Sequence, residues 1–172
     1  MTKFYFTSQP IDRIPAELVI LLHFEDDIPL HGMLGLIDWR INGRLSHLLK
    51  ENRFAGLARE KLLMPAEHRF KAEKLVIMGL GKRDEFHDDF IAQIIDFIFD
   101  TVREMKSMQI CVSFAKLNPS QFAWRNAIRL FVTKLVDFQD LKEVIFCEPE
   151  DLVQEAKRRQ LDFGANVQVE FL

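Results

Sequence analysis

The sequence predicts a single α/β domain with a largely parallel sheet covered by helices on both faces. Three observations carry that prediction. Short apolar runs bounded by turn residues alternate with segments whose apolar residues recur at helical spacing. The helical segments, of about 10–20 residues, are long enough to cross over between parallel strands. At 172 residues the chain has the length of one domain, and a chain of this size buries about 70% of its unfolded surface. No internal repeat, low-complexity stretch or Gly/Ser linker divides residues 1–172.

The first apolar run, Glu17–Phe24, reads as a buried strand and ends in the acidic turn Glu25–Pro29. From Leu34 to about Glu51 the spacing becomes helical, with Leu34, Ile37, Ile41, Leu45 and Leu48 on one stripe and Arg40, Arg44 and His47 on another. Gly43 inside that helix is unfavourable by about 1 kcal/mol relative to Ala, so it is expected to mark a close approach of a neighbouring backbone. Ile41→Ala is accordingly expected to cost roughly 2–5 kcal/mol.

Lys61–Met64, before Pro65, is a short strand, and Lys74–Leu80 a stronger one followed by Gly81 and a charged turn. Phe90, Ile91, Ile94, Ile98, Val102 and Met105 give a long helix with a wide apolar face. Gln109–Phe114 is the next strand. Asn118 and Pro119 suit an N-cap and first helical position for a helix through Trp124, Ile128, Phe131 and Leu135. Glu143–Cys147 is a strand, Pro149 opens a short helix that stops near Gly164, and Asn166–Leu172 alternates as a closing strand.

Composition excludes several classes. Hydrophobic residues make up 48% and charged residues 28%, so the chain is not intrinsically disordered. Net charge is −3, with 23 basic against 26 acidic residues, which disfavours a surface built to coat nucleic acid. The longest apolar run, Leu18–Leu22, is far below the roughly 20 residues needed to span a bilayer. The start, MTKFYFTSQP, has no apolar core or cleavage site of an export signal. The two cysteines, Cys111 and Cys147, form no CxxC pair, and the expected location is cytoplasmic. Cys111 is read as a buried thiol and Cys147, at a strand end, as the more exposed one. Sixteen Phe accompany one Tyr, an aromatic set that packs without donating hydrogen bonds.

Few motifs carry chemistry. Val76–Lys82 places Gly79, Gly81 and Lys82 between a strand and a helix, where backbone amides can hold a phosphate. It completes neither GxxxxGK[ST] nor GxGxxG, and Asp84, Glu85, Asp88 and Asp89 follow it, so a tight turn is the simpler reading. Glu25, Asp26 and Asp27 read as a solvated turn in preference to a metal or acid–base site, because adjacent loop carboxylates lack the convergence such a site needs. The five histidines show no HExxH or zinc spacing, and His87–Asp88 lacks a nucleophile elbow. No catalytic residue, metal or cofactor is expected. Arg40, Arg44 and His47 suit a solvated helix face or the edge of an interaction surface.

These residues together resemble a known family. Phe24–Leu30, Gly32, Gly35, Asp38, Gly43, Leu45, Phe54, Gly56, Glu60, Lys61–Pro65 and Leu75–Lys82 are similar to the N-terminal domain of the leucyl (cytosol) aminopeptidases. The resemblance runs from roughly Glu17 to Val153, with its firm motifs before Lys82. It implies a three-layer, macrodomain-like module with a mixed, mostly parallel sheet, a part in hexamer assembly, and a separate catalytic domain holding two divalent metals. The catalytic signatures, of the NTDAEGR and VGKGITFDSGG types, do not occur in residues 1–172. Metal-assisted peptide hydrolysis needs such a metal pair, so the expectation is a non-catalytic, stand-alone domain.

Three functions follow as expectations. The first is an interaction module with a protein partner or a second copy of itself, motivated by the assembly role and the surplus of Phe. The second is a module for a nucleotide or ADP-ribose-like ligand at Gly79, Gly81 and Lys82. The third and weakest is DNA binding.

Overall fold

The computed structural model describes residues 2–117, 121–138, 140–159 and 169–172. In chain order its elements are β1 (Lys3–Thr7), β2 (Leu18–His23), α1 (Gly32–Arg40), α2 (Arg44–Lys50), β3 (Lys61–Pro65), β4 (Lys74–Gly79), α3 (Phe90–Met105), β5 (Gln109–Val112), α4 (Gln121–Leu135), β6 (Glu143–Cys147), α5 (Glu150–Arg158) and β7 (Val169–Phe171). The architecture is α/β, and the strand pairings are mostly parallel. Contacts group the chain into two units, Gln9–Phe86 and Met1–Ser8 with His87–Leu172.

In the unit Gln9–Phe86 the strand order is β3-β4-β2. β2 and β4 run parallel, with Leu18 opposite Lys74 and His23 opposite Gly79. Every β2 residue is buried, which is why the sequence shows a continuous apolar run and no alternation. β3 returns antiparallel on β4, with Lys61 opposite Met78.

The helix expected over Leu34–Glu51 is two helices. Asn42 and Gly43, at φ 57° and 74°, interrupt it between α1 and α2. Left-handed backbone suits glycine, and no heavy atom lies within 4 Å of where a Gly43 side chain would start. Gly43 therefore marks a break and not a close approach. Asp38 secures the restart: its Oδ1 accepts the N–H groups of Leu45 at 2.9 Å and Ser46 at 3.0 Å. This carboxylate satisfies donors that a helix start leaves orphaned. Leu34, Ile37 and Leu45 are buried as expected, whereas Ile41 and Leu48 are only half-buried. The expected cost of Ile41→Ala thus belongs to Ile37→Ala, whose side chain is fully enclosed.

In the other unit the order is β5-β6-β1-β7, all parallel. β1 is an additional strand that the apolar runs did not reveal. Its five residues bury Phe4 and Phe6 on one face, and Thr7 at its end is buried as well. α3 has the bounds its apolar spacing implies and buries Ile91, Ile95, Ile98, Phe99 and Val102. β5 stops at Val112, two residues short of the expected end. Asn118, Pro119, Gly164 and Asn166 lie outside the described residues. α5 follows Pro149 and ends at Arg158. Both cysteines are buried, which corrects the exposure expected for Cys147. β6 runs through it, so the thiol faces packed side chains.

Candidate functional site

The glycine turn after β4 is tied down by its own backbone. Gly79 N–H donates to Glu60 O at 2.7 Å, Leu80 N–H to His23 O at 2.9 Å and Gly81 N–H to Gly56 O at 2.9 Å. Gly81 O in turn accepts Glu25 N–H at 2.9 Å. These amides, on which the phosphate-loop expectation rests, are already donated to protein carbonyls. Gly79 has a packing reason to be glycine: a Cβ there would lie 2.1 Å from Leu57 O. Gly81 has a conformational one, at φ +75°. Lys82 is exposed.

The acidic turn after β2 closes onto the same place. The Asp26 carboxylate accepts Arg83 N–H, with its two oxygens at 3.1 and 3.3 Å. The Arg83 guanidinium lies 4.2 Å from the Phe24 ring centre and 3.7 Å from Asp27 Oδ2. Asp27 also faces His31 at 3.6 Å. Asp26 and Asp27 are thus partners of the Lys82–Glu85 turn, not merely solvated carboxylates. The spot where an external anion would meet the Arg83 amide holds an internal one.

Beside it, residues 54–60 form a second anion-holding feature. Glu60 Oε2 accepts three successive N–H groups, from Ala55 at 3.0 Å, Gly56 at 2.9 Å and Leu57 at 3.0 Å. Consecutive amides turned to one point make a concave nest for negative charge. Phe54, Gly56 and Glu60 entered the family resemblance only as pattern residues. The signal was a carboxylate four residues after a loop glycine.

Arg40, Arg44 and His47 each have a separate carboxylate. Arg40 Nη2 is 2.6 Å and Nε 2.8 Å from Oδ2 of buried Asp12. Arg44 faces Glu67 at 3.6 Å, both largely exposed, and His47 faces Glu51 at 3.1 Å. The expectation that Arg40 and Arg44 are alike in being solvated is corrected: Arg40 neutralises a buried charge, and the break at Asn42–Gly43 separates it from Arg44. Arg40→Ala is expected to cost roughly 1–3 kcal/mol, because Asp12 stays buried without its partner. Arg44→Ala is expected within about 0–1 kcal/mol. Urea denaturation of the two variants checks this, and equal midpoints would contradict it.

The buried Glu148 stands at the carboxyl end of β6. Its Oε1 accepts Phe114 N–H at 2.7 Å, and Oε2 lies 3.2 Å from Ser113 Oγ, which accepts Ala115 N–H at 3.3 Å. Burial raises the Glu148 pKa from 4.5 to about 8. The Phe114 N–H, the Trp124 indole, Ser113 and the Ala115 N–H oppose that rise by favouring the charged form. The Trp124 indole Nε1 falls short of a well-formed hydrogen bond. At neutral pH the side chain is therefore mostly a neutral acid that ties the exit of β5 to that of β6. Cys111, beside Cys147 and close to Glu148, is pushed well above its ordinary pKa by burial, with both neighbours adding to the rise. Glu148 is enclosed, so its visible chemistry is structural. No group of three metal-binding side chains occurs among the described residues. No helix among them is long and apolar enough to cross a membrane.

Residues 20–138 match the family model described as the cytosol aminopeptidase family, N-terminal domain. A probable cytosol aminopeptidase of Nostoc punctiforme is 31% identical over 150 residues, covering 84% of this chain and 30% of that protein. A second, from Sulfurihydrogenibium, is 30% identical over 106 residues, 62% of this chain and 21% of its own length. The chain thus spans less than a third of the curated relatives it matches. Among solved structures, a tomato leucine aminopeptidase mutant superposes with a TM-score of 0.68 at 13% identity, covering 91% of this chain and 35% of that one. The Trypanosoma brucei macrodomain in complex with ADP-ribose gives 0.67 at 13% identity, with 91% and 68% covered. These likenesses establish a macrodomain-like fold, and the sequence match establishes descent: the chain belongs to the cytosol aminopeptidase family, in the region of its N-terminal domain.

Proposed function

We propose that these residues act as an interaction and assembly module, in a cytoplasmic setting, and contribute no peptidase chemistry of their own. The observation that carries this reading is Trp39, 69% exposed on α1. Ile28, Leu57 and Leu63, in the same unit, are exposed as well. Indole is the side chain most often found at the energetic centre of protein interfaces, because it removes a large apolar area from water at little entropic cost. Arg44 and His47, beyond the helix break, supply charge for the rim. Size-exclusion chromatography with light scattering tests self-assembly. Wild type is expected to run as an oligomer that Trp39→Ser shifts towards monomer without lowering its melting temperature. A wild-type protein that is monomeric at every concentration overturns that form of the proposal.

A second reading is a module for an ADP-ribose-like ligand, favoured by the macrodomain neighbour that holds ADP-ribose. The engagement of the Gly79, Leu80 and Gly81 amides counts against placing the diphosphate there. Calorimetry with ADP-ribose decides it: saturable heat that weakens in a Gly81→Leu variant supports the reading, and no heat at millimolar ligand removes it. DNA binding ranks third, given the net charge of −3. A duplex mobility shift that fails to weaken with salt excludes it, since phosphate contacts release counterions.

A further inference from the structure

We propose that the loop 54–57 is an oxyanion-binding site whose resident ligand is the Glu60 carboxylate, so that removing this side chain opens the site to a small external carboxylate. The site is built for one oxygen. Three consecutive N–H groups, from Ala55, Gly56 and Leu57, meet Oε2 at 2.9–3.0 Å. Hydrogen bonds to an ionised acceptor are about twice as strong as neutral ones, so the converging amides define the chemistry they prefer.

The shape of the loop does not depend on the occupant. Gly81 N–H fixes Gly56 O from beneath at 2.9 Å, and Glu60 N–H closes the turn onto Leu57 O at 2.9 Å. The main chain of β4 locks the segment again, through Gly79 N–H to Glu60 O at 2.7 Å and Arg59 N–H to Gly79 O at 3.2 Å. The missing side chain at Gly79 lets Leu57 O pack directly on the strand. Gly56, at φ +83°, adopts a conformation in which a Cβ would meet the His23 ring at 2.7 Å. The four hydrogen bonds among these restraints run between backbone groups, so they survive truncation of Glu60. The site also meets solvent, because Leu57 is exposed and Glu60 only partly covered. Truncation at Cβ removes one methylene and a carboxylate, the volume of an acetate ion.

The glycines of the β4 turn are therefore the brace of the anion site and not its donors. In the wild-type protein the site is self-filled, which keeps it from taking free anions.

Chemical rescue tests the proposal. Glu60→Ala is titrated with formate, acetate and inorganic phosphate, each against chloride at matched ionic strength. Melting temperature and the amide resonances of Ala55, Gly56 and Leu57 are followed. The expected result is a lowered melting temperature that formate or acetate restores saturably, with the three amides moving together downfield, while wild type does not respond. Rescue by phosphate alone, or an equal unsaturable response in both proteins, overturns the proposal. Should Glu60→Ala fail to fold, Glu60→Gln keeps the volume and removes the charge. Its three loop amides must then shift together while those of Gly79 and Gly81 hold still, and unmoved loop amides refute the nest.

Discussion

Glu148→Gln is expected to flatten the pH dependence of stability and to leave the protein more stable than wild type above pH 8. The wild-type carboxyl has its pKa raised from 4.5 to about 8 by burial in the folded state. Between those values the folded protein holds a proton that the unfolded chain releases. Stability therefore falls as pH rises through this window, and is level below about 4.5 and above about 8. A shift of this size corresponds to at most about 5 kcal/mol. Gln mimics the neutral acid: its carbonyl accepts Phe114 N–H and its amide faces Ser113 Oγ, as a protonated Oε2 does. The two proteins should unfold at similar denaturant concentrations near pH 5 and diverge steadily to about pH 8. Parallel curves across that range would show that Glu148 does not carry the buried proton.

The sequence showed the elements better than the charges. β2, β4 and β6 are legible as continuous apolar runs because both of their faces are buried, and α3 because its buried residues keep one helical period. β1 was missed for the opposite reason: exposed Lys3 and half-buried Tyr5 interrupt Lys3–Thr7, so it shows no continuous apolar run. The break between α1 and α2 was invisible to periodicity, because the apolar stripe continues across it. It depends on the left-handed backbone of Asn42 and Gly43, and a glycine in a helical pattern signals a stop as readily as a close approach.

The carboxylates that answer internal donors were not legible in that role, although Asp38 and Glu60 stand in the family pattern. Asp12, Asp38, Glu60 and Glu148 each answer a donor that folding brings close. Those donors are the Arg40 guanidinium, the start of α2, the loop 54–57 and the exit of β5. For Asp12 and Glu148 the partners are 28 and 34 residues away and leave no spacing to read. Those of Asp38 and Glu60 are local backbone amides that carry no residue-type signal. The acidic residues that the sequence did single out, Glu25–Asp27, drew notice because they are adjacent. Their role emerged only with the Arg83 amide opposite Asp26.

Phenylalanine shows the same division. The surplus of Phe suggested exposed rings for an interaction surface. Among the described residues the strongly exposed apolar side chains are instead mostly Ile, Leu, Val, Met and Trp39, with Phe90 the one phenylalanine among them. The aromatic surplus fills the core. Phe146 sits at its centre: fully buried on β6, its ring centre lies 4.8 Å from Phe6, 5.6 Å from Phe131, 6.3 Å from Phe4 and 6.4 Å from Phe114. Phe131 extends the cluster to Phe99 at 4.8 Å. Phe146→Ala is expected to cost about 3–5 kcal/mol, from lost transfer free energy and the cavity left among four rings. Edge-to-face and stacked pairs add about 0.5–1.5 kcal/mol each when taken singly, but they share one ring and will not sum. Phe146→Leu keeps most of the volume and should cost less than half as much. Phe90→Ala, at a partly exposed ring, should fall near 1 kcal/mol or below. Equilibrium unfolding of the three variants ranks them, and a Phe146→Ala cost below about 2 kcal/mol would mean that the cavity collapses and the rings repack.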